Sequence, residues 1–176
     1  MECLECQCAN LIDVEDDVVE NNTYMCEDCG AEQTDNDWKY RKYKVGKVES
    51  VEELKAPLKK CQVTISDDGG DEPLQIVTNA KHIAQNDIVV VATMGAIVPA
   101  GAEPEEEGGQ GIVVKAAVVG GVKSNGMLCD GVMLQWAGGA KGVLVKLDGS
   151  TFSVGSTPPA KKPFTKWNID MWYEES

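Results

Sequence analysis

The sequence predicts a mainly β protein that is built on a small β-barrel. Its 176 residues are enough to bury one core of roughly 100–130 residues together with a small appendage. Eighteen glycines and only two phenylalanines favour short strands joined by tight turns over long helices. Five of the seven cysteines lie in the first 37 positions. We therefore predict an N-terminal head (residues 1–37), a barrel (38–157) and an extended C-terminal tail (158–176).

The net charge of −13 is concentrated in the head. Residues 1–37 contain twelve acidic residues and no lysine or arginine, a net charge of −12, whereas residues 38–176 carry −1. Nucleic acids are bound by cations that neutralise phosphates, so the head is not expected to hold RNA. The head can instead repel RNA or contact a basic protein, while the nearly neutral remainder can still carry a local basic patch.

The head contains two Cys-x-x-Cys pairs separated by nineteen residues. Four thiolates at this spacing can surround Zn²⁺ tetrahedrally at about 2.3 Å and leave no open position for a substrate. The spacing predicts a structural zinc ribbon whose ligands are Cys3, Cys6, Cys26 and Cys29. Cys8 is a third possible donor beside the first pair, and we predict that it is a spare thiol. The cysteine pattern loosely resembles the zinc ribbons of transcription and translation factors.

Alternating and fully apolar runs predict the strands of the barrel. The first is the basic and aromatic run 39–47, whose alternation would place Tyr40, Lys42 and Lys44 on one side. Aromatic rings there can stack on bases while lysines hold phosphates, or the lysines can simply be solvated. Further strands are predicted at 61–66, 74–78, 88–92, 112–119 and 143–147. Residues 102–111 form an acidic, glycine-rich loop.

Three blocks in the middle of the chain are the most informative. They are Leu-Gln-Ile-Val-Thr-Asn-Ala at 74–80, Gly-Ala-Ile-Val-Pro-Ala-Gly at 95–101 and Val-Gly-Gly-Val-Lys-Ser-Asn-Gly-Met-Leu-Cys at 119–129. In this order the blocks resemble the tRNA-binding OB-fold domain, and the resemblance runs from about residue 40 to residue 159. That domain occurs near the start of the bacterial phenylalanyl-tRNA synthetase β chain and in free-standing tRNA-binding proteins. The resemblance implies an OB-fold β-barrel.

The resemblance also implies that tRNA meets the face between the first and third blocks. Lys81 and Lys123 can supply charge there, while Ser124 can donate to phosphate or 2′-hydroxyl groups. Asn125 can donate likewise, and it replaces the acidic residue common in the family. An alternative is that Met127 and its neighbour merely build the barrel core. The predicted RNA-binding residues are Tyr40, Lys42, Lys44, Asn79, Lys81, Lys123, Ser124 and Asn125.

The tail begins with a proline-rich linker and ends in aromatic residues. Prolines favour an extended conformation, and several large aromatic side chains are costly to expose. The tail therefore packs either on its own barrel or on a protein partner, for which tryptophan and tyrosine are frequent anchors. The predicted docking residues are Phe164, Trp167, Trp172 and Tyr173.

The sequence argues against an enzyme and against a membrane protein. His82 is the only histidine, and Cys61 and Cys129 are single thiols in apolar strands. No phosphate-cradling or nucleophile-elbow motif is present. No run approaches the roughly 18 apolar residues of a membrane span. Cysteines at metal-binding spacing indicate a reducing compartment, so we expect the cytosol or an organelle interior and not secretion.

Two functions are compatible with these patterns. The first is a non-enzymatic protein that binds tRNA or another structured RNA, or attaches to RNA-handling machinery. The alternative is a scaffold or assembly subunit in which the barrel, the acidic head and the aromatic tail all contact proteins. Charge reversal of the candidate lysines discriminates between them, because only RNA binding depends on those cations.

Overall fold

The computed structural model describes residues 2–14, 22–99 and 111–163. The chain divides into two compact units, Met1–Arg41 and Lys42–Ser176. The three segments predicted from the sequence, with limits at 37 and 157, stay predictions. The acidic loop and the aromatic docking residues of the tail lie outside the described residues, apart from Gly111. In the described ranges no helix is long and apolar enough to cross a membrane.

The first unit is a small three-stranded antiparallel sheet followed by one short helix. The strands are β1 (Leu11–Val14), β2 (Thr23–Cys26) and β3 (Glu32–Thr34), in that spatial order. Helix α1 (Asp35–Lys39) begins at Thr34, whose hydroxyl accepts from the Asp37 amide while the Asp37 carboxylate accepts from the Thr34 amide. This reciprocal capping box satisfies two amides that a helix start otherwise leaves unpaired.

The described residues of the second unit form ten strands. They are β4 (Tyr43–Glu53), β5 (Lys59–Thr64), β6 (Leu74–Thr78), β7 (Ile88–Thr93), β8 (Ile97–Val98), β9 (Ile112–Val113), β10 (Ala117–Val119), β11 (Val122–Ser124), β12 (Gly126–Leu128) and β13 (Lys146–Leu147). The main sheet is antiparallel in the order β12-β7-β4-β5-β6, and β13 also pairs with β7. Two hairpins, β8–β9 and β10–β11, complete the unit.

The main sheet curls until its two edge strands nearly meet. The Asn125 amide donates to the Gln75 carbonyl at 2.8 Å, and the Val77 amide donates to the Ser124 hydroxyl at 3.0 Å. These bonds join β6 to the segment between β11 and β12, so the sheet is almost closed. The predicted fold class, an OB-fold β-barrel with a cysteine ribbon at the N-terminus, is confirmed.

The interior of the barrel is aliphatic. Gly46 lies on the inner face of β4, where an added Cβ would stand 2.8 Å from Val63 Cγ1 and 3.2 Å from Val91 Cγ2. Neighbouring strands therefore close in over this position without room for a side chain. The main cluster of buried side chains comes from β4, β5, β6 and β7 and from the loop before β7: Val48, Cys61, Val63, Ile76, Ile83, Val89 and Val91.

The predicted first strand is wrong at its start. The run 39–47 was expected to be a strand throughout, but helix α1 ends at Lys39 and β4 begins only at Tyr43. Lys42, with φ of 64°, turns the chain between helix and strand. The capping box explains the difference, because it starts a helix immediately before the basic run.

The predicted strand 112–119 is also corrected, since it forms two strands with different partners. Residues Ile112–Val113 pair with β8, whereas Ala117–Val119 pair with β11. The other predicted strands correspond to β5, β6, β7 and β13, within a few residues at their ends.

Candidate metal centre and nucleic-acid interface

The first unit gathers its cysteines at one end of the small sheet. The chain turns back after Cys3, because the Cys3 amide donates to the Cys8 carbonyl at 2.8 Å. A second turn follows β2, where the Gly30 amide donates to the Cys26 carbonyl at 2.8 Å. The sulfurs of four cysteines then lie within 4.8 Å of one another and can hold a metal ion: Cys3, Cys6, Cys8 and Cys26.

Cys29, predicted as the fourth ligand, borders this cluster. Its sulfur lies 3.7 Å from that of Cys3, and the sulfurs of Cys6 and Cys26 are 3.6 Å apart. Metal–sulfur bonds of about 2.3 Å in a tetrahedron separate the sulfurs by about 3.8 Å. These two pairs therefore have the separations of two tetrahedral edges. The Cys8 sulfur is closer, at 3.1 Å from Cys6 and 3.0 Å from Cys26.

Hydrogen bonds favour the thiolate forms of Cys3 and Cys26, whereas hydrogen bonds to the neighbouring thiols raise the pKa of Cys8. An amide hydrogen bond at Cys6 is the largest of the effects that lower the pKa of Cys3 to about 6. A hydrogen bond from the Ala31 amide lowers the pKa of Cys29, but burial and the neighbouring thiols outweigh it and raise that pKa to about 12. Thiolates are the form that binds metals, so metal binding and proton release are coupled here.

Gln33 on β3 supports the centre, and the sequence analysis missed it. This side chain is only 4% exposed, and its Nε2 donates to the Cys3 sulfur at 2.9 Å. Its Oε1 accepts from the Leu4 amide at 2.7 Å. Gln33 therefore holds the first cysteine turn against the sheet and stabilises negative charge on a sulfur. The signal for Gln33 in the sequence was a polar residue at the inward-facing position of a short strand.

Trp38 packs within the first unit. Its indole Nε1 donates to the Glu2 carbonyl at 3.0 Å, and its ring meets Tyr24 edge-on with centroids 5.3 Å apart. Tyr40 is 3% exposed, with Lys39 Nζ lying 5.1 Å from its ring centroid. The predicted role of Tyr40 as a stacking platform requires an accessible ring, which this conformation does not offer.

In the second unit, the structure brings the first and third sequence blocks together. A groove of about 360 Å³ has Asn79 and Ala80 on one wall and Met127 and Leu128 on the other. Leu128 packs on the core, but Met127 is 40% exposed, so Met127 is a groove residue and not the core residue of the alternative interpretation.

The candidate polar residues lie at both ends of strand β6, along the side of the barrel that contains this groove. We call this side the groove face. Asn125 is bonded beside Gln75 at the start of β6, whereas Asn79 follows the end of that strand. Gln75 and Asn79 are four residues apart along the strand direction, which corresponds to about 13 Å. Lys123 lies on β11, where its carbonyl accepts from the Gln75 side chain at 2.7 Å. The face is therefore long enough to contact more than one nucleotide.

Lys42, which precedes β4, and Lys44 on that strand adjoin the same edge of the barrel. The Lys42 carbonyl accepts from both the amide and the hydroxyl of Thr93, and Thr93 pairs with Gly126 of β12. Lys44 follows on β4 and is exposed. Across the described ranges, neither these two lysines nor Lys81 and Lys123 form an ion pair, whereas Lys60 pairs with Glu52 and Lys146 with Asp87.

Ser124 differs from the other candidates because its hydroxyl is used internally. The side chain is 5% exposed, accepts from the Val77 amide at 3.0 Å and donates to the Gly126 carbonyl at 3.1 Å. This geometry closes the barrel. Contact of Ser124 with RNA stays a prediction, and it would require breaking these bonds.

The second unit is slightly acidic as a whole, because residues 42–176 contain fourteen lysines and seventeen acidic residues, a net charge of −3. Four of the acids lie in the turn between β5 and β6, residues 67–72, which does not line the groove, whereas Asp130 does. Attraction of a polyanion therefore depends on the local placement of the lysines and not on the net charge of the unit.

Fold and face together define an OB-fold domain with a candidate nucleic-acid surface. Residues 43–155 match the family described as "Putative tRNA binding domain", and the chain belongs to this family. This confirms the resemblance drawn from the three sequence blocks.

The chain is similar to curated proteins over part of its length. It is 39% identical over 110 residues to the "Putative tRNA-binding protein YtpR" of Bacillus subtilis, covering 59% of this chain and 47% of that protein. It is 40% identical over 86 residues to the phenylalanine–tRNA ligase β subunit of Anaeromyxobacter dehalogenans, covering 49% of this chain and 10% of that subunit. The chain therefore spans a tenth to about half of the length of these relatives.

Proposed function

We propose that the second unit binds tRNA or another structured RNA through the groove face. The observation that supports this most is the hydrogen-bonded junction of β6 with the β11–β12 segment. That junction brings Lys123 and Asn125 beside Gln75 of β6, and Asn79 and Lys81 follow the end of the same strand. Phosphates are bound by such lysines, and amide side chains read 2′-hydroxyl groups and bases. The name of the Bacillus subtilis relative agrees with this function.

The proposed role is binding without catalysis. Burial raises the pKa of the Cys129 thiol to about 12 and also raises that of Cys61, so neither is a ready nucleophile. This chain covers a tenth of the ligase β subunit of Anaeromyxobacter dehalogenans, so ligase activity is not carried over to it. We also propose that the protein works in the cytosol or an organelle interior, where free thiols persist and tRNA is present.

The first unit is proposed to carry a structural zinc ion. Thiolate donors suit Zn²⁺, and the sulfur separations of 3.6 and 3.7 Å agree with tetrahedral coordination. The ligands proposed from the sequence are Cys3, Cys6, Cys26 and Cys29. When bound, zinc would supply folding free energy to a unit that has too little apolar core of its own.

A titration of the full, zinc-loaded chain against bulk tRNA tests the proposed RNA binding. Saturable binding should weaken steeply as salt rises, and K81E and K123E should each reduce the salt slope by about 1. K162E is the matched control, because Lys162 is exposed and lines a different groove. Equal losses in all three variants, or no binding at low salt, would contradict the proposal and favour the scaffold role.

A further inference from the structure

The first unit holds five cysteines where a tetrahedral centre needs four. Cys3, Cys6 and Cys26 belong both to the set predicted from the sequence and to the four sulfurs that the structure clusters. The two sets differ only in the fourth member, which is Cys29 in one and Cys8 in the other. Both candidates lie beside the three shared sulfurs.

The backbone holds Cys8 in this place at a local cost. Gln7 adopts φ of 61°, the left-handed region that residues other than glycine seldom occupy. Its amide donates to the Cys3 carbonyl at 2.9 Å, and the Cys8 carbonyl accepts from the Cys3 amide at 2.8 Å. This turn directs the sulfurs of Cys6 and Cys8 to the same side, 3.1 Å apart.

Five thiolates do not fit one tetrahedral ion together. The separations of 3.0 and 3.1 Å from Cys8 to its neighbours are shorter than the roughly 3.8 Å edge that bound sulfurs keep. Cys8 therefore gains a bonding position only when another sulfur leaves. Cys3 and Cys26 are buried, whereas Cys6 and Cys29 are exposed. Cys29 is the sulfur best placed to leave, because Cys6 belongs to the four clustered sulfurs and Cys29 lies at their border.

We propose that Cys8 and Cys29 exchange in the fourth position of the metal centre. This inference rests on the proposed metal site. The Cys8 thiol loses its proton as it enters the position, and the Cys29 thiolate gains a proton as it leaves. No electron is transferred, and three thiolates remain in place throughout. The displaced thiol is then the one that is open to an alkylating reagent.

Cobalt substitution tests the exchange on the full chain. Co²⁺ bound by thiolates absorbs in the near ultraviolet with an intensity that grows with the number of sulfurs. C8S and C29S should each keep the wild-type intensity, because the other cysteine fills the fourth position. The double variant C8S/C29S should lose about a quarter of it, as one of four thiolates is missing. C61S is the control, because Cys61 lies in the core of the second unit, and it should keep the wild-type intensity.

Alkylation of the zinc-loaded wild-type chain provides a second measurement. Limiting iodoacetamide, followed by peptide mapping, should label Cys8 and Cys29 in comparable amounts. A label on one of them alone, together with loss of intensity in only one single variant, would show a fixed ligand set and overturn the exchange. If the wild-type chain binds no Co²⁺ as a four-thiolate complex, the metal site itself fails, which is a distinguishable result.

Discussion

Replacing Ser124 by alanine separates the structural role of this residue from a role in RNA contact. Its hydroxyl accepts from the Val77 amide and donates to the Gly126 carbonyl, at the junction that closes the barrel. The substitution removes both bonds without adding bulk. Because Ser124 is 5% exposed, little water can replace the lost hydroxyl.

The expected loss of stability follows from the Val77 amide and the Gly126 carbonyl, which both lose their hydrogen-bond partner. A donor left unsatisfied in a largely buried position costs about 1–3 kcal/mol. We therefore expect S124A to lower the free energy of unfolding of the second unit by about 1–3 kcal/mol. Affinity for tRNA should change by less than about twofold at temperatures where the variant is folded, or about 0.4 kcal/mol.

Urea unfolding followed by far-ultraviolet circular dichroism measures the first quantity, and a tRNA titration measures the second. N125A is the matched control in the adjacent position. The Asn125 amide, which donates to the Gln75 carbonyl, is retained in that variant, so stability should be nearly unchanged. Its tRNA affinity should fall if the side chain contacts RNA. An S124A protein of wild-type stability that binds tRNA about tenfold more weakly, a loss of about 1.4 kcal/mol, would refute this reasoning.

Two further substitutions test the packing of each unit. Q33A removes the donor to the Cys3 sulfur and the acceptor of the Leu4 amide. Metal affinity, measured by competition with a chelator, should therefore fall about tenfold or more. An unchanged affinity would contradict the supporting role of Gln33. G139A places a Cβ 2.6 Å from the Gly131 carbonyl oxygen and should destabilise the second unit by about 1–3 kcal/mol in urea unfolding. G70A, whose Cβ would find only ordinary contacts, should be nearly neutral, and equal effects of the two glycine variants would be evidence against the close backbone packing.

The sequence predicted those elements whose pattern and partner are both local. Strand β6 has the predicted limits, because its alternation is bounded by turn residues on both sides. Asn125-Gly126, in contrast, is a typical hairpin turn in sequence but is not one here. Strand β11 pairs with β10, and β12 pairs with β7, so the pair lies where the chain changes partners. Such a change depends on closure of the whole barrel, and local propensity cannot reveal it.

In the candidate site, too, the sequence predicted the local features but not those that depend on the three-dimensional structure. Cysteine spacing located the metal cluster, but it could not reveal that Cys8, predicted as a spare thiol, lies among the clustered sulfurs, because this position depends on the positive φ of Gln7. The lysines were identified by type, while the absence of ion pairs at Lys81 and Lys123 among the described residues depends on three-dimensional neighbours. Gln33 is far from Cys3 in sequence and meets it only through the sheet.

The third sequence block consists mainly of residues that close the barrel. Ser124 supplies the closing hydroxyl, and Gly126 leaves room where a Cβ would stand 3.2 Å from the Ala92 carbonyl oxygen. Leu128 and Cys129 pack inward. Lys123, the charged residue of the block, is exposed and precedes these positions. A match to this block therefore identifies the fold more directly than it identifies RNA binding. Affinity should consequently follow the lysines around the groove, which is why charge reversal tests the proposed function better than substitution within the block.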